Sequence, residues 1–241
     1  MSGVQDEENQ SAASHSTALR LLTGIALLRR DVAGTRFIVP FLRSLTASSS
    51  SLADATPWLT FRAIRWLTTN MDPTMHVFEY GSGGSTLFFA NRVRQIISVE
   101  HDRNWYARTN DELAARGVRN CTYLLREPTP DPDARFVSSD PAYEGMDFAD
   151  YVTAIDAYPD RSFDLVSVDG RARPACVLAA LSKVKPSGLM LLDNSERPHY
   201  REAVAALARY ERLDFSGIAP YSTDLTQTTI WRIENQGLDG D

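Results

Sequence analysis

The chain has 241 residues, 43% of them hydrophobic, with 25 Lys and Arg against 31 Asp and Glu for a net charge of -6. This length suits one α/β domain with an extension, its apolar content excludes a wholly disordered protein, and its acidic balance argues against a nucleic-acid partner. Two cysteines, Cys121 and Cys176, are too few for a disulfide framework and form no zinc-type cluster, so a reduced, cytoplasmic setting is expected.

Residues 1–16 are polar and serine-rich, which predicts disorder. Residues 17–72 read as a helical extension. Within it, residues 18–47 carry five arginines (Arg20, Arg29, Arg30, Arg36, Arg43) against Asp31 alone, while Leu21, Leu22, Ile25, Leu28 and Val32 recur at helical spacing. The pattern suits either a helix capping the domain or a basic amphipathic helix that touches a membrane surface or a lipid-linked substrate. The acidic start (Asp6, Glu7, Glu8) and the later Arg29-Arg30 reverse the charge order of a secretory signal. No run approaches the roughly 18 apolar residues needed to span a bilayer.

Ser48 to Asp54 reads as a linker, and Pro57 opens a helix from Trp58 to about Asn70. Residues 73–241 form the expected main domain. Strands are predicted at about 75–80, 96–100, 120–125, 163–168 and 188–193. Helices are predicted at about 84–92, 104–116, 146–157, 172–183 and 197–210. Strands separated by helix-length segments imply βαβ units and a parallel sheet. Leu213 to Ile218 and Thr226 to Ile233 then read as a closing β-hairpin.

The densest signal is Val77-Phe-Glu-Tyr-Gly-Ser-Gly-Gly-Ser-Thr86, followed by Ile96-Ile-Ser-Val-Glu100. A glycine turn leaving a strand lets a ligand lie against bare backbone, and an acid at the next strand tip can accept bonds from a ribose. The turn lacks the third glycine of a dinucleotide site, where Thr86 stands instead, and Glu79 would repel a pyrophosphate. A cationic nucleoside without phosphates fits better, and S-adenosylmethionine has that chemistry.

On these residues the chain resembles the class I S-adenosylmethionine-dependent methyltransferases. Glu79-Tyr-Gly-Ser-Gly resembles that family's first motif, Glu100 its ribose-binding acid with His101 and Asp102 beside it, and Phe163 to Gly170 its fourth-strand motif. Lys185-Pro-Ser-Gly resembles the turn that enters its fifth strand. The resemblance implies a Rossmann-like class I methyltransferase fold: a seven-stranded, mostly parallel sheet with a C-terminal antiparallel hairpin. It implies that S-adenosylmethionine is held by Glu79, Gly81, Ser82, Gly83, Glu100, His101, Asp169 and Gly170.

Asp169 ends the fourth predicted strand and Asp193-Asn194 the fifth, so their tips are expected about 5 Å apart. Three oxygen ligands there suit a Mg²⁺ that lowers an acceptor hydroxyl's pKa. This layout is similar to the metal site of catechol O-methyltransferase-like enzymes, which implies Asp169, Asp193 and Asn194 as ligands. Where that group places a lysine base, this chain has Ala172 between Arg171 and Arg173. A cofactor-bonding Asp169 and a helix-capping Asp193-Asn194 are the alternative.

The fragments G-S-G-G-S-T and D-G-R-x-R-x-x-C also resemble the glucuronoxylan (glucuronic acid O-) methyltransferases. That likeness implies a hydroxyl acceptor on a uronic acid or another sugar, in a glycan or a lipid-linked saccharide, with Arg171 or Arg173 gripping its carboxylate. Asp169, Asp193 and Arg171 are the candidate catalytic residues. His199, Tyr143 and Trp58 are further candidates for the acceptor side, on the premise that the proline-rich segment from Arg126 to Asp147 walls the site. A nicotinamide-dependent oxidoreductase is disfavoured by the missing third glycine and the hairpin. A non-catalytic binding module is the other alternative.

Overall fold

The computed structural model describes residues 22–46, 49–131 and 134–234, and the disorder expected for residues 1–16 lies outside that range. The apolar runs form a sheet whose alternate residues serve two different cores. The strands are β1 (His76–Tyr80), β2 (Gln95–Glu100), β3 (Cys121–Leu125), the short β4 (Thr129–Pro130) and β5 (Met146–Asp147), β6 (Phe163–Val168), β7 (Val184–Asp193), β8 (Glu211–Ile218) and β9 (Leu225–Ile233). Seven of them make one sheet in the order β3-β2-β1-β6-β7-β9-β8. The first five in that order are parallel, and β9 runs antiparallel to both β7 and β8. The predicted fold class and the closing hairpin are therefore present.

Helices cover both faces. Residues 22–30 form α1, followed by a 3-10 turn at Val32–Phe37, α2 (Ile38–Ser44), α3 (Ser51–Asp54) and α4 (Phe61–Asn70). Then come α5 (Gly84–Ala90), α6 (Arg103–Ala115), α7 (Ala149–Val152), α8 (Arg173–Ala180) and α9 (Arg201–Ala206). Phe78, Tyr80, Val166, Val168, Met190 and Leu192 point to a core shared with α7, α8 and α9. Their neighbours Val77, Leu165, Leu189 and Leu191 point the other way, to α4 and α5. This period-2 sorting puts a layer of helices on each face.

Three predicted helices are shorter than expected. The helix from Trp58 starts only at Phe61, because the Thr60 hydroxyl accepts the Ala63 N–H and supplies the cap that Pro57 was expected to mark. The predicted 146–157 helix divides into β5, α7 and a 3-10 turn at Thr153–Ala157. The 197–210 helix becomes a 3-10 turn at Pro198–Tyr200 and α9.

The extension is bound tightly to the hairpin. Leu27, Leu28, Phe41, Leu45, Phe61 and Ile218 form one buried cluster. The buried Asp31 carboxylate accepts the N–H of Gly34 at 2.9 Å and of Ile218 at 3.1 Å, and it pairs with Arg62. Of the predicted apolar stripe, Leu28 is buried, whereas Leu22, Ile25 and Val32 are exposed and Leu21 lies outside the described residues.

Candidate active site

The glycine turn joins β1 to α5 at the C-terminal edge of the parallel strands, where an open α/β sheet presents its ligands. Gly81 has φ +91°, and a Cβ there would meet the backbone of Gly170 at 2.6 Å, so β1 and the β6 tip approach through bare backbone. Gly84 is required for a second approach. A Cβ at Gly84 would run into the carbonyl oxygens of Ser51 and Thr56, and the Gly84 N–H donates to the Ser51 hydroxyl at 3.0 Å. The segment after α3 thus closes over the start of α5.

Glu79 was expected to face the cofactor, but it lies beneath the turn. It is 1% exposed, on the sheet face that packs against α5. Its Oε2 accepts the hydroxyls of Thr86 and Ser98, both at 2.6 Å, and Thr86 Oγ1 accepts the Gly83 N–H at 3.0 Å. Thr86, in place of a third glycine, is the bridge by which Glu79 fixes the turn. Oε1 has no hydrogen-bond partner among the described residues. Burial pushes the Glu79 carboxyl up to about 7.

A raised acid pKa in the folded state makes stability fall as pH rises, here between about 4.5 and about 7, by on the order of 3 kcal/mol. Glu79→Gln is expected to flatten that slope. Urea denaturation of both proteins at pH 5 and pH 8 measures it, and an unchanged pH dependence would show that Glu79 is ionised throughout.

Glu100, at the tip of β2, is 2% exposed and almost saturated. Oε2 accepts the Ser82 N–H at 3.1 Å and its hydroxyl at 2.7 Å, while Oε1 accepts the N–H of His101 at 2.8 Å and of Asp102 at 2.9 Å. His101 Nδ1 lies 2.8 Å from the same oxygen. Burial would raise this carboxyl, but the bonds from His101, Asp102 and Ser82 outweigh it and hold it below its ordinary range. His101 Nε2 meets the Tyr143 hydroxyl at 2.9 Å, so the 126–147 segment is tied to the tip of β2. Asp102 caps α6, and Trp105 one turn on donates its indole N–H to the Ser82 carbonyl at 2.9 Å.

The arginine segment departs from expectation. Ala172 lies in the left-handed region at φ +48°, a strained setting for alanine, and sends its two neighbours in different directions. Arg171 turns outward, pairs with Asp140 at 3.0 Å and lies over the Tyr143 ring. Its Nε is buried with no partner. Arg173 turns inward and is 6% exposed. It donates to the carbonyls of Gly170 at 2.9 Å, Asp193 at 2.6 Å and Asp169 at 3.0 Å, and to Asn194 Oδ1 at 3.2 Å. It also pairs with the Asp169 carboxylate at 2.9 Å.

This geometry corrects two expectations. Arg173 is committed to the interior, so it is not the carboxylate clamp. The three residues proposed as Mg²⁺ ligands surround a guanidinium in place of an ion. Asp193 Oδ1 accepts the Thr228 hydroxyl at 2.6 Å across the β7–β9 ladder, and Asn194 Nδ2 donates to Thr226 at 2.5 Å. Their donor atoms do not fit a divalent cation. Burial raises both Asp169 and Asp193, Asp169 raises Asp193 further, and the nearby arginines, Arg173 first, offset only part of this.

A cavity of about 850 Å³ runs along this edge and is lined by Gly81, Ser82, Glu100, His101, Asp169, Gly170, Arg171, Asp193 and Asn194 among others. Every candidate site residue except Glu79, Gly83 and His199 lines it. Trp58 and Tyr221 stand on its rim with ring centroids 6.2 Å apart. A second cavity of about 470 Å³ adjoins it through Asp140, Gly170, Arg171, Arg173 and Arg197, and extends to His199, whose Nε2 meets Ser139 at 3.1 Å. Sequence reasoning had singled out neither Arg197 nor Trp105. Trp105 had a signal, since it stands three residues after the capping Asp102.

No protein-family profile matches the chain, and no curated protein sequence does. Solved structures do. The O-methyltransferase TomG of Streptomyces achromogenes, involved in tomaymycin synthesis and solved with S-adenosylmethionine, superposes with a TM-score of 0.56 at 16% identity, over 82% of this chain and 95% of that one. An O-methyltransferase-like protein of Klebsiella pneumoniae gives 0.51 at 17% identity, over 72% and 77%. A methyltransferase-like protein of Streptococcus mutans solved with S-adenosylhomocysteine gives 0.50 at 11%, over 71% and 96%. The chain has the class I methyltransferase fold.

Proposed function

We propose that this protein is an S-adenosylmethionine-dependent methyltransferase acting on a hydroxyl of a small anionic acceptor, with a hexuronic acid, free or in a glycan, as the best-fitting class. One observation carries the reading: the joined cavities are divided by charge. Glu100, Asp102 and Asp169 line the larger cavity alone, whereas Arg171, Arg173 and Arg197 line both, and the one acid that reaches the smaller cavity is Asp140, paired with Arg171. An acidic end suits a cationic donor, and a basic end suits an anionic acceptor.

The donor end fits S-adenosylmethionine in three respects: bare backbone at Gly81, a carboxylate at Glu100, and a volume within the range of ligand clefts. When bound, that cofactor supplies a methyl group activated by its sulfonium. Ser82, Glu100 and His101 would hold its nucleoside, with Trp105 fixing the turn from behind. On the acceptor side Arg197 makes no salt bridge among the described residues, and Arg171, paired with Asp140, has an Nε without a hydrogen-bond partner there, so both have capacity for an anion. Asp169 would take the hydroxyl proton. Its raised carboxyl is a stronger base than an ordinary aspartate, and Arg173 orients it.

Calorimetry with S-adenosylhomocysteine and a methyl-transfer assay with a glucuronoside acceptor test this reading. Asp169→Asn retains a hydrogen-bond acceptor for Arg173 but takes no proton, so kcat should fall by roughly 100-fold or more. Arg197→Gln should raise the acceptor's KM about tenfold with little change in kcat. His199→Ala should stay within about threefold, because its exposed ring serves Ser139. Absence of S-adenosylhomocysteine binding would overturn the whole reading, and binding without transfer to any uronic acid would overturn the acceptor class.

A further inference from the structure

The solvent side of the N-terminal cap combines apolar and cationic residues without a counter-charge among the described residues. On α1, Gly24, Leu27 and Leu28 face the interior, which leaves Leu22 and Ile25 on the outside with Arg29 and Arg30. Val32 follows at 73% exposure and Val39 at 56%, with Ile38 beside it and Arg36 and Arg43 interspersed. The acid of this stretch, Asp31, is buried and spent on Arg62, Gly34 and Ile218. No salt bridge is made by Arg29, Arg30, Arg36 or Arg43 among the described residues.

We infer that this face docks on an anionic lipid bilayer, with the apolar side chains entering the headgroup layer and the arginines pairing with lipid phosphates. Two observations select that occupant. Charge complementarity requires an anionic partner, so a second copy of this cap would meet its own arginines. The five exposed aliphatic side chains have no match on a nucleic-acid backbone, and the chain's net charge of -6 would oppose a long polyanion. The binding force is local, because salt screens the remaining negative charge within about 8 Å at physiological ionic strength.

The cap also adjoins the cleft. The Tyr221 N–H donates to the Ser44 hydroxyl at 3.1 Å, and Tyr221 with Trp58 forms the cleft rim. Trp58 is 58% exposed, a placement that suits the membrane interface, where indoles concentrate. A protein held by this face would have its rim beside the headgroups.

Co-sedimentation of the full chain with vesicles of phosphatidylcholine alone, or with one-third phosphatidylglycerol, tests the inference. Binding is expected only to the anionic vesicles and should weaken at high salt. Arg29→Gln with Arg30→Gln should reduce it by about 30-fold. Leu22→Ser with Val32→Ser should reduce it as well and abolish the blue shift of Trp58 emission. S-adenosylhomocysteine affinity, unchanged in both double variants, shows that they fold. The inference falls if the wild-type chain ignores anionic vesicles, or if the arginine variant binds them equally. It falls too if ultracentrifugation shows a dimer that the Leu22 and Val32 variant dissolves, because a second copy then covers the face.

Discussion

Glu100→Ala is expected to weaken S-adenosylhomocysteine binding by at least about 100-fold and to lower the stability of the ligand-free protein. Four donors lose their acceptor at once: the N–H and hydroxyl of Ser82 and the N–H groups of His101 and Asp102. A hydrogen bond to a charged group contributes about 1.5–3 kcal/mol, and a 100-fold loss of affinity corresponds to about 2.7 kcal/mol. The expected loss of affinity is therefore the size of one or two bonds from a ribose hydroxyl to this carboxylate, whereas the four protein bonds account for the loss of stability. The pH sign also follows. This carboxyl is held below its ordinary range, so its contribution is present at neutral pH and disappears only on acidification through the folded-state value. Calorimetry and urea denaturation separate the two effects. Lost stability with retained affinity would make Glu100 a brace for the turn and remove it from the cofactor site.

Arg173→Ala is expected to destabilise the fold by about 3–5 kcal/mol, a large part of the total stability of an ordinary domain. The variant leaves the Asp169 and Asp193 carboxylates near each other without a cation, and three carbonyl oxygens without their donor. Acids whose folded-state pKa is raised lose stability as pH rises, so the deficit should be larger at pH 8 than at pH 6. Arg173→Lys should fall between the two, because an ammonium keeps the charge but not the planar fork. Chelation by EDTA should change neither stability nor methyl transfer in the parent protein. A deficit below about 1 kcal/mol in Arg173→Ala, or an EDTA-sensitive parent, would show that the guanidinium is not the cation of this site.

The seven strands of the main sheet were legible because each is an apolar run bounded by turn residues, and the candidate site because a glycine turn and a strand-end acid lie close in sequence, whereas β4 and β5 were not. What the sequence concealed depends on single backbone angles and on parity along a strand. Arg171 and Arg173 look equivalent in Gly170-Arg-Ala-Arg-Pro174, and only the left-handed Ala172 separates an outward cation from an inward one. Glu79 looks like a ligand-facing acid, yet it shares a sheet face with Val77 and lies under α5. That placement had a trace in the sequence, since Thr86, where a dinucleotide turn has its third glycine, supplies a hydroxyl that a buried acid needs. The division of the 146–157 segment was hidden because Phe148, Tyr151, Val152 and Ile155 keep helical spacing even though the backbone changes type between them.

The approach of Ser51 and Thr56 to Gly84 bears on where this protein can be divided. The segment that reads as a linker supplies part of the wall of the donor cavity, through Ser49, Ser50 and Ser51. It continues without a break into Thr60, whose N–H is held by Thr228 in the hairpin. A chain shortened at the apparent boundary near residue 72 would lose one side of this cavity, so the extension and the sheet belong to one folded unit.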